Sequence, residues 1–76
     1  MARELVTDVT AEMVANVMTV YVAPGDSVAV GDTVVLLESM KMEIPVLVEI
    51  AGTVQAVKVG PGDVVQEGDV LVSIVS

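Results

Sequence analysis

The chain contains no cysteine and no histidine. Without thiols there is no disulfide framework, no sulfur nucleophile and no thiolate metal site. Without imidazole, Ser-His-Asp catalysis, acid/base work near neutral pH and His-ligated zinc are excluded as well. Carboxylate, amine and hydroxyl chemistry remain. Basic residues are scarce: three Lys plus Arg stand against eleven Asp plus Glu, a formal charge of −8. Such a balance repels phosphate backbones and anionic lipid, so neither nucleic acid nor a membrane surface is an expected partner. The acids are spread singly and form no D-x-[DN]-x-[DN]-G loop, so they read as a solvated face and no metal site is expected. Long apolar runs are missing too. Hydrophobic residues make up 54% and the mean hydropathy is +0.82, yet the unbroken runs reach only Val34–Leu37, or Ile44–Val48 if Pro45 is counted. A bilayer span needs about 20 residues. The opening Met1-Ala2-Arg3-Glu4-Leu5-Val6-Thr7-Asp8 has no apolar h-region and does not read as a secretory signal, which makes a cytoplasmic location the expectation.

Aromatic residues are nearly absent as well, Tyr21 being the single example. The apolar mass is therefore small and aliphatic, with valine at 20 of the 76 positions. β-Branched side chains are stiff at χ1 and pack well on a pleated surface, so the composition predicts an all-β chain. Seventy-six residues leave room for one small domain, residues 1–76, because a chain this short buries only about 60% of the surface its unfolded form exposes.

The chain repeats itself. Pro24-Gly25-Asp26 recurs as Pro61-Gly62-Asp63 and Gly31-Asp32 as Gly68-Asp69, both at an offset of 37 residues. The same offset pairs Val17 with Val54, Val20 with Val57, Val22 with Val59, Val28 with Val65 and Val35 with Val72. Two units, each too small to bury its own apolar face, are expected to pack about a pseudo-two-fold axis. Each half reads as strand, turn, strand: 16–22 and 53–59 lead into Pro-Gly-Asp, and 34–39 and 70–75 follow Gly-Asp. Gly25, Gly31, Gly62 and Gly68 are the structural turn residues, since Pro sets φ for the first central position and Gly accepts the positive φ of a type II turn. In both halves the valines step by three and then two, which breaks alternation at the same place twice and predicts a bulge or a twist there. Residues 7–14 alternate, with Val9, Ala11 and Met13 on one face, and 46–50 do likewise, so both read as half-buried strands. The architecture expected is a small antiparallel sandwich or flattened barrel. Residues 1–6 fall outside both repeats and are expected to form a flexible N-terminal segment.

One segment has no counterpart at this offset. Glu38-Ser39-Met40-Lys41-Met42-Glu43-Ile44-Pro45 joins the halves as a hairpin whose tip falls at Lys41. Turns usually draw on Gly, Asn, Asp, Ser and Pro, whereas this one sets two methionines around a lysine. Methionine is over-used where a surface is recognised by another protein, so the lysine reads as a presented amine; alternatively the methionines fold back on the sandwich and Lys41 is a solvated charge. The only other lysine, Lys58, is expected at an outward mid-strand position and takes no role.

Glu38-Ser39-Met40-Lys41-Met42-Glu43, centred between two valine-rich Pro-Gly-Asp/Gly-Asp halves and followed by Gly52-Thr53-Val54, resembles the biotin carboxyl carrier family over roughly Val9 to Val75. The resemblance implies a hammerhead of two four-stranded antiparallel sheets, with Lys41 biotinylated by a biotin protein ligase that recognises Met40, Met42, Glu38, Ser39 and Glu43. Three departures stand out. Ser39 replaces the common Ala before Met-Lys-Met. Glu12-Met13-Val14-Ala15-Asn16 replaces a Pro-Met-Pro-Gly stretch, so that corner is expected to turn with Asn16 in the left-handed region. Between Tyr21 and Val28 there is no room for the thumb insertion of some carriers.

The resemblance further implies a mechanism: the ligase activates biotin as an adenylate and the Lys41 ε-amine attacks its carbonyl to form an amide. Only the neutral amine is nucleophilic, so the proton is removed in the ligase and this domain is a substrate and non-catalytic carrier. Lysine stem and biotin tail together span on the order of 12 Å, enough for the arm to carry CO2 between biotin carboxylase and carboxyltransferase sites. An isolated carrier of this type is expected to be a monomer. Two other readings use the same residues. A lipoyl carrier shares the fold but usually has Asp before the lysine and Ala after it, where Met40 and Met42 stand here. An unmodified interaction module would use the methionine tip as a protein contact.

Overall fold

Twenty valines and regularly spaced Gly-Asp pairs build short strands and tight turns throughout. The computed structural model describes residues 5–76, with β1 (Val6–Thr10), β2 (Ala15–Val20), β3 (Ser27–Val28), β4 (Thr33–Ser39), β5 (Met42–Leu47), β6 (Gly52–Val57), β7 (Val64–Val65) and β8 (Val70–Val75). No helix occurs among the described residues. The strands form two four-stranded antiparallel sheets, β1-β8-β6-β3 and β5-β4-β2-β7. A shift of 37 positions carries β1, β8, β6 and β3 onto β5, β4, β2 and β7, so the sequence repeat is the symmetry that exchanges the sheets; contrary to expectation it extends into 38–45, where Glu38 answers Val75 and 43–45 answer 6–8. Val17, Val34, Val35, Leu37, Val54, Leu71, Val72 and Ile74 fill the space between them, almost wholly removed from water.

The two irregular valine steps are bulges. Register shifts between Val17 and Thr19 in β2 and between Val54 and Ala56 in β6, leaving Met18 and Gln55 as the extra residues. An extra residue reverses side-chain parity, which explains how Val17 and Val20, three apart, both reach the interior. Four turns of one design close the loops. In Ala23–Asp26, Ala29–Asp32, Gly60–Asp63 and Gln66–Asp69 the third residue is Gly at φ between 92 and 96. The aspartate N–H donates to the first residue's carbonyl at 3.0–3.1 Å. Its Oδ2 accepts the first residue's N–H at 2.8–2.9 Å. Four of the eleven acids are therefore turn clasps rather than merely a solvated face.

Several expectations change. The alternating stretch 7–14 stops pairing as β1 at Thr10, and 46–50 stops at Leu47. Ala11 and Val48 are each clipped instead to a Gly-Asp turn, Ala11 N–H to Asp69 O at 2.9 Å and Val48 N–H to Asp32 O at 3.0 Å. The chain then bends and crosses to the other sheet, which leaves Met13 exposed rather than on the buried face of Val9 and Ala11. That corner does not use Asn16 in the left-handed region: Asn16 is an ordinary β2 residue paired with Glu38 and Val64, and the turn is spread over residues 12–14. The strands placed at 16–22 and 53–59 begin one residue earlier and end at Val20 and Val57. Lys58 thus lies just past β6, exposed, with its N–H on Leu71 O at 2.9 Å. Within the segment 1–6, Leu5 and Val6 are held, Leu5 exchanging N–H and carbonyl with Ser76 at 3.2 and 3.0 Å and Val6 starting β1. The expectation for residues 1–4 lies outside the described residues.

Candidate functional site: the tip of the central hairpin

β4 is an inner strand, paired with β2 on one side and β5 on the other, and its Val34, Val35 and Leu37 are buried. Its partner β5 is a sheet edge and carries Pro45, a residue that sheets admit at edges because it offers no N–H to a further strand. Pairing runs from Thr33 opposite Leu47 to Ser39 opposite Met42, leaving Met40 and Lys41 as a two-residue loop. Both stand in the left-handed region, at φ 52 and 64. A two-residue hairpin with positive φ at both positions matches the right-handed strand twist, but normally draws on Asn-Gly or Asp-Gly. With Cβ-bearing residues the backbone costs about 1–2 kcal/mol at each position, offset by the well-packed strands below.

The sequence-predicted site residues come together here. Met40 is 89% exposed and Met42 60%, so neither methionine folds back on the sandwich; Lys41 between them is exposed. Ser39 and Met42 close the loop, and Glu38 lies directly opposite Glu43, with Asn16 next in the row on β2. Like charges facing across a ladder repel one another, and none of the side-chain hydrogen bonds among the described residues involves Glu38, Glu43 or Lys41. Gly25, Gly31, Gly62 and Gly68 are not at the tip; they serve the four turns. Among the described residues no three acids gather at a spacing that could hold a metal ion.

Two structural roles were not read from the sequence, that of Gly52, quoted there only for the resemblance, and that of Asp8. Gly52 lies in strand β6, yet a Cβ there would run into the Val75 carbonyl oxygen and lie 2.8 Å from Ile74 Cγ2. Asp8 accepts a hydrogen bond from buried Ser73 Oγ at 2.9 Å. Neither has a local signal, since each partner lies in β8, far along the chain.

Chemically, the tip offers a primary amine on a flexible stem, carried by a firmly anchored hairpin and flanked by two thioethers. No imidazole or thiol exists in the chain to activate it. The valine-packed double sheet and the lysine raised between its halves define a class of protein: a small all-β attachment domain. The chain belongs to the biotin/lipoyl attachment family, whose model, described as "Biotin-requiring enzyme", matches residues 7–74. It is similar to the "Biotinylated protein TB7.3 homolog" of Mycolicibacterium smegmatis, 68% identical over 40 residues, which are 53% of this chain and 56% of that protein. The chain thus spans about half the length of the curated relatives it matches. Among solved structures, the Kluyveromyces lactis urea carboxylase superposes with a TM-score of 0.86 at 28% identity, over 97% of this chain and 6% of that one. A single-chain, multi-domain long-chain acyl-CoA carboxylase gives 0.83 at 31% identity, over 90% and 7%. The lipoyl domain of the Azotobacter vinelandii 2-oxoglutarate dehydrogenase complex gives 0.69 at 27% identity, over 83% and 78%.

Proposed function

We propose that this chain, acting as one unit from residue 1 to 76, is a biotin carboxyl carrier whose Lys41 accepts biotin as an amide. The observation that carries this reading is the exposed lysine at the apex of a two-residue turn, between two solvent-facing methionines, in a chain of this family. The residues fit the group: the Lys41 amine stands free of the sandwich between two methionines at the hairpin tip, while Lys58, also exposed, follows β6 with valines on either side. Attachment forms one bond, from Lys41 Nζ to the activated biotin carboxyl carbon, with the proton and the activating group leaving in a biotin protein ligase. Met40 and Met42 give that ligase an apolar grip on either side of the amine, and Ser39, Glu38 and Glu43 form the base of the surface it meets. Attached there, biotin supplies the carriage of CO2 between the biotin carboxylase and carboxyltransferase components of a carboxylase. This chain's part is presentation, as substrate and carrier rather than catalyst. The hairpin holds the amine at a defined place while the arm searches a radius on the order of 12 Å.

The test is intact mass and peptide mapping of protein from biotin-replete cells. One biotinyl group on the Lys41 peptide is expected, absent in Lys41→Arg and retained in Lys58→Arg. Label persisting in the first variant overturns the reading, and a lipoyl group at Lys41 replaces it with the lipoyl carrier.

A further inference from the structure

Because the chain has no cysteine, its methionine thioethers are the only sulfur an oxidant meets. The four described methionines divide by exposure, Met40 at 89% and Met42 at 60% against 39% for Met13 and 38% for Met18. The division has a structural cause. At φ 52 a β-branched side chain is a genuine outlier, so the valine used throughout the rest of the chain is disfavoured at position 40. An apolar contact there calls for an unbranched side chain at an apex with no neighbouring strand to cover it. Met18, by contrast, sits in the β2 bulge and Met13 beside the groove between β1 and β5.

We propose that Met40 and Met42 form an oxidative modification site that governs whether Lys41 can be loaded, an inference that rests on the reading of Lys41 as a ligase substrate. A hydroperoxide transfers one oxygen atom to each sulfur. The S–O bond forms as the O–O bond breaks, sulfur loses two electrons, and the peroxide leaves as water or alcohol. The sulfoxide replaces a flexible apolar group with a polar acceptor. A surface shaped for a thioether then has to bury that oxygen without a donor, which disfavours docking. Lys41 itself is untouched, and sulfoxides are reducible, so loading is suspended rather than destroyed. The core is equally untouched, since both side chains project into solvent.

The experiment treats unbiotinylated full chain with dilute hydrogen peroxide and then supplies biotin protein ligase, biotin and ATP. Peptide mapping should find one added oxygen at Met40 first and Met42 next, ahead of Met13 and Met18. Loading of the doubly oxidised tip should be slower by about ten-fold or more with no change in thermal midpoint, and methionine sulfoxide reductases of both epimer specificities should restore it. A Met13→Leu, Met18→Leu variant should remain fully peroxide-sensitive. Oxidation of Met13, Met18, Met40 and Met42 at one rate, or loading of the oxidised chain at the untreated rate, overturns the proposal. If untreated chain takes up no biotin, the assignment of Lys41 fails and this inference falls with it.

Discussion

At the scale of single residues, the tip hairpin sets backbone conformation against side-chain chemistry. Met40 at φ 52 and Lys41 at φ 64 occupy positions that Asn and Gly fill at lower cost. Met40→Gly should therefore raise the unfolding free energy by up to about 1 kcal/mol, and on the proposed reading of Lys41 it should slow biotin loading. Met40→Val should lower stability by roughly 1–2 kcal/mol without changing hydrophobicity. A loss of stability in the glycine variant would mean that the loop is relaxed. Gly52 and Gly25 offer the opposite contrast. Alanine at Gly25 meets open space and is opposed only by a φ of 96, a cost of about 1–2 kcal/mol. Alanine at Gly52 drives a Cβ into the Val75 carbonyl of inner strand β8 and should cost on the order of 3 kcal/mol. Urea titrations of the two variants give the ranking, and a milder effect at Gly52 would show that β8 shifts freely.

At the scale of elements, four copies of one turn carry the hairpin framework. The aspartate that ends each turn accepts the N–H of the residue that begins it. Asp63→Ala should cost about 0.5–1.5 kcal/mol, and Asp63→Asn, which keeps the side-chain carbonyl acceptor, should recover most of it. Equal midpoints for the two variants would reduce the clasp to ornament. The recurrence of Gly-Asp was visible in the sequence as turn chemistry, and φ values of 92–96 at all four glycines agree with it. The carboxylates' hydrogen bonds were not visible, because in composition they are indistinguishable from solvated acids. The bulges at Met18 and Gln55 were legible, since a valine step of three interrupts alternation locally, whereas the register shifts that skip Val34 and Leu71 were not. The two-residue strands β3 and β7 were not: each is defined only by its partner, Val28 opposite Gly52 and Val65 opposite Ala15.

At the scale of the whole molecule, the halves interlock rather than abut. Each sheet takes two inner strands from one half and two edge strands from the other. The turns join across in the same sense. Gly25 and Asp26 bond to Val54, Gly31 and Asp32 to Val48, Gly62 and Asp63 to Val17, and Gly68 and Asp69 to Ala11, all at 2.8–3.0 Å. A fragment of residues 1–38 or 42–76 would keep two strands of a sheet and lose what covers them, and an isolated pair is marginal in water. Each fragment should therefore show collapsed amide dispersion in its NMR spectrum; a folded half would contradict the interlocked topology.

Periodicity, turn chemistry and one out-of-place Met-Lys-Met act over a few neighbouring residues, so the sequence by itself determined the β class, the two-fold repeat, the turn glycines, the bulges and the candidate lysine. What only the tertiary structure decided depends on residues far apart in the chain. The edge strands pair with the opposite half because only there do buried valines find partners. The chain changes sheet at 12–14, not at Asn16, because Ala11 is pinned to Asp69. Met40 and Lys41 take positive φ because paired strands of fixed twist, held from below by Leu37 and Val35, leave a two-residue loop no other way to close.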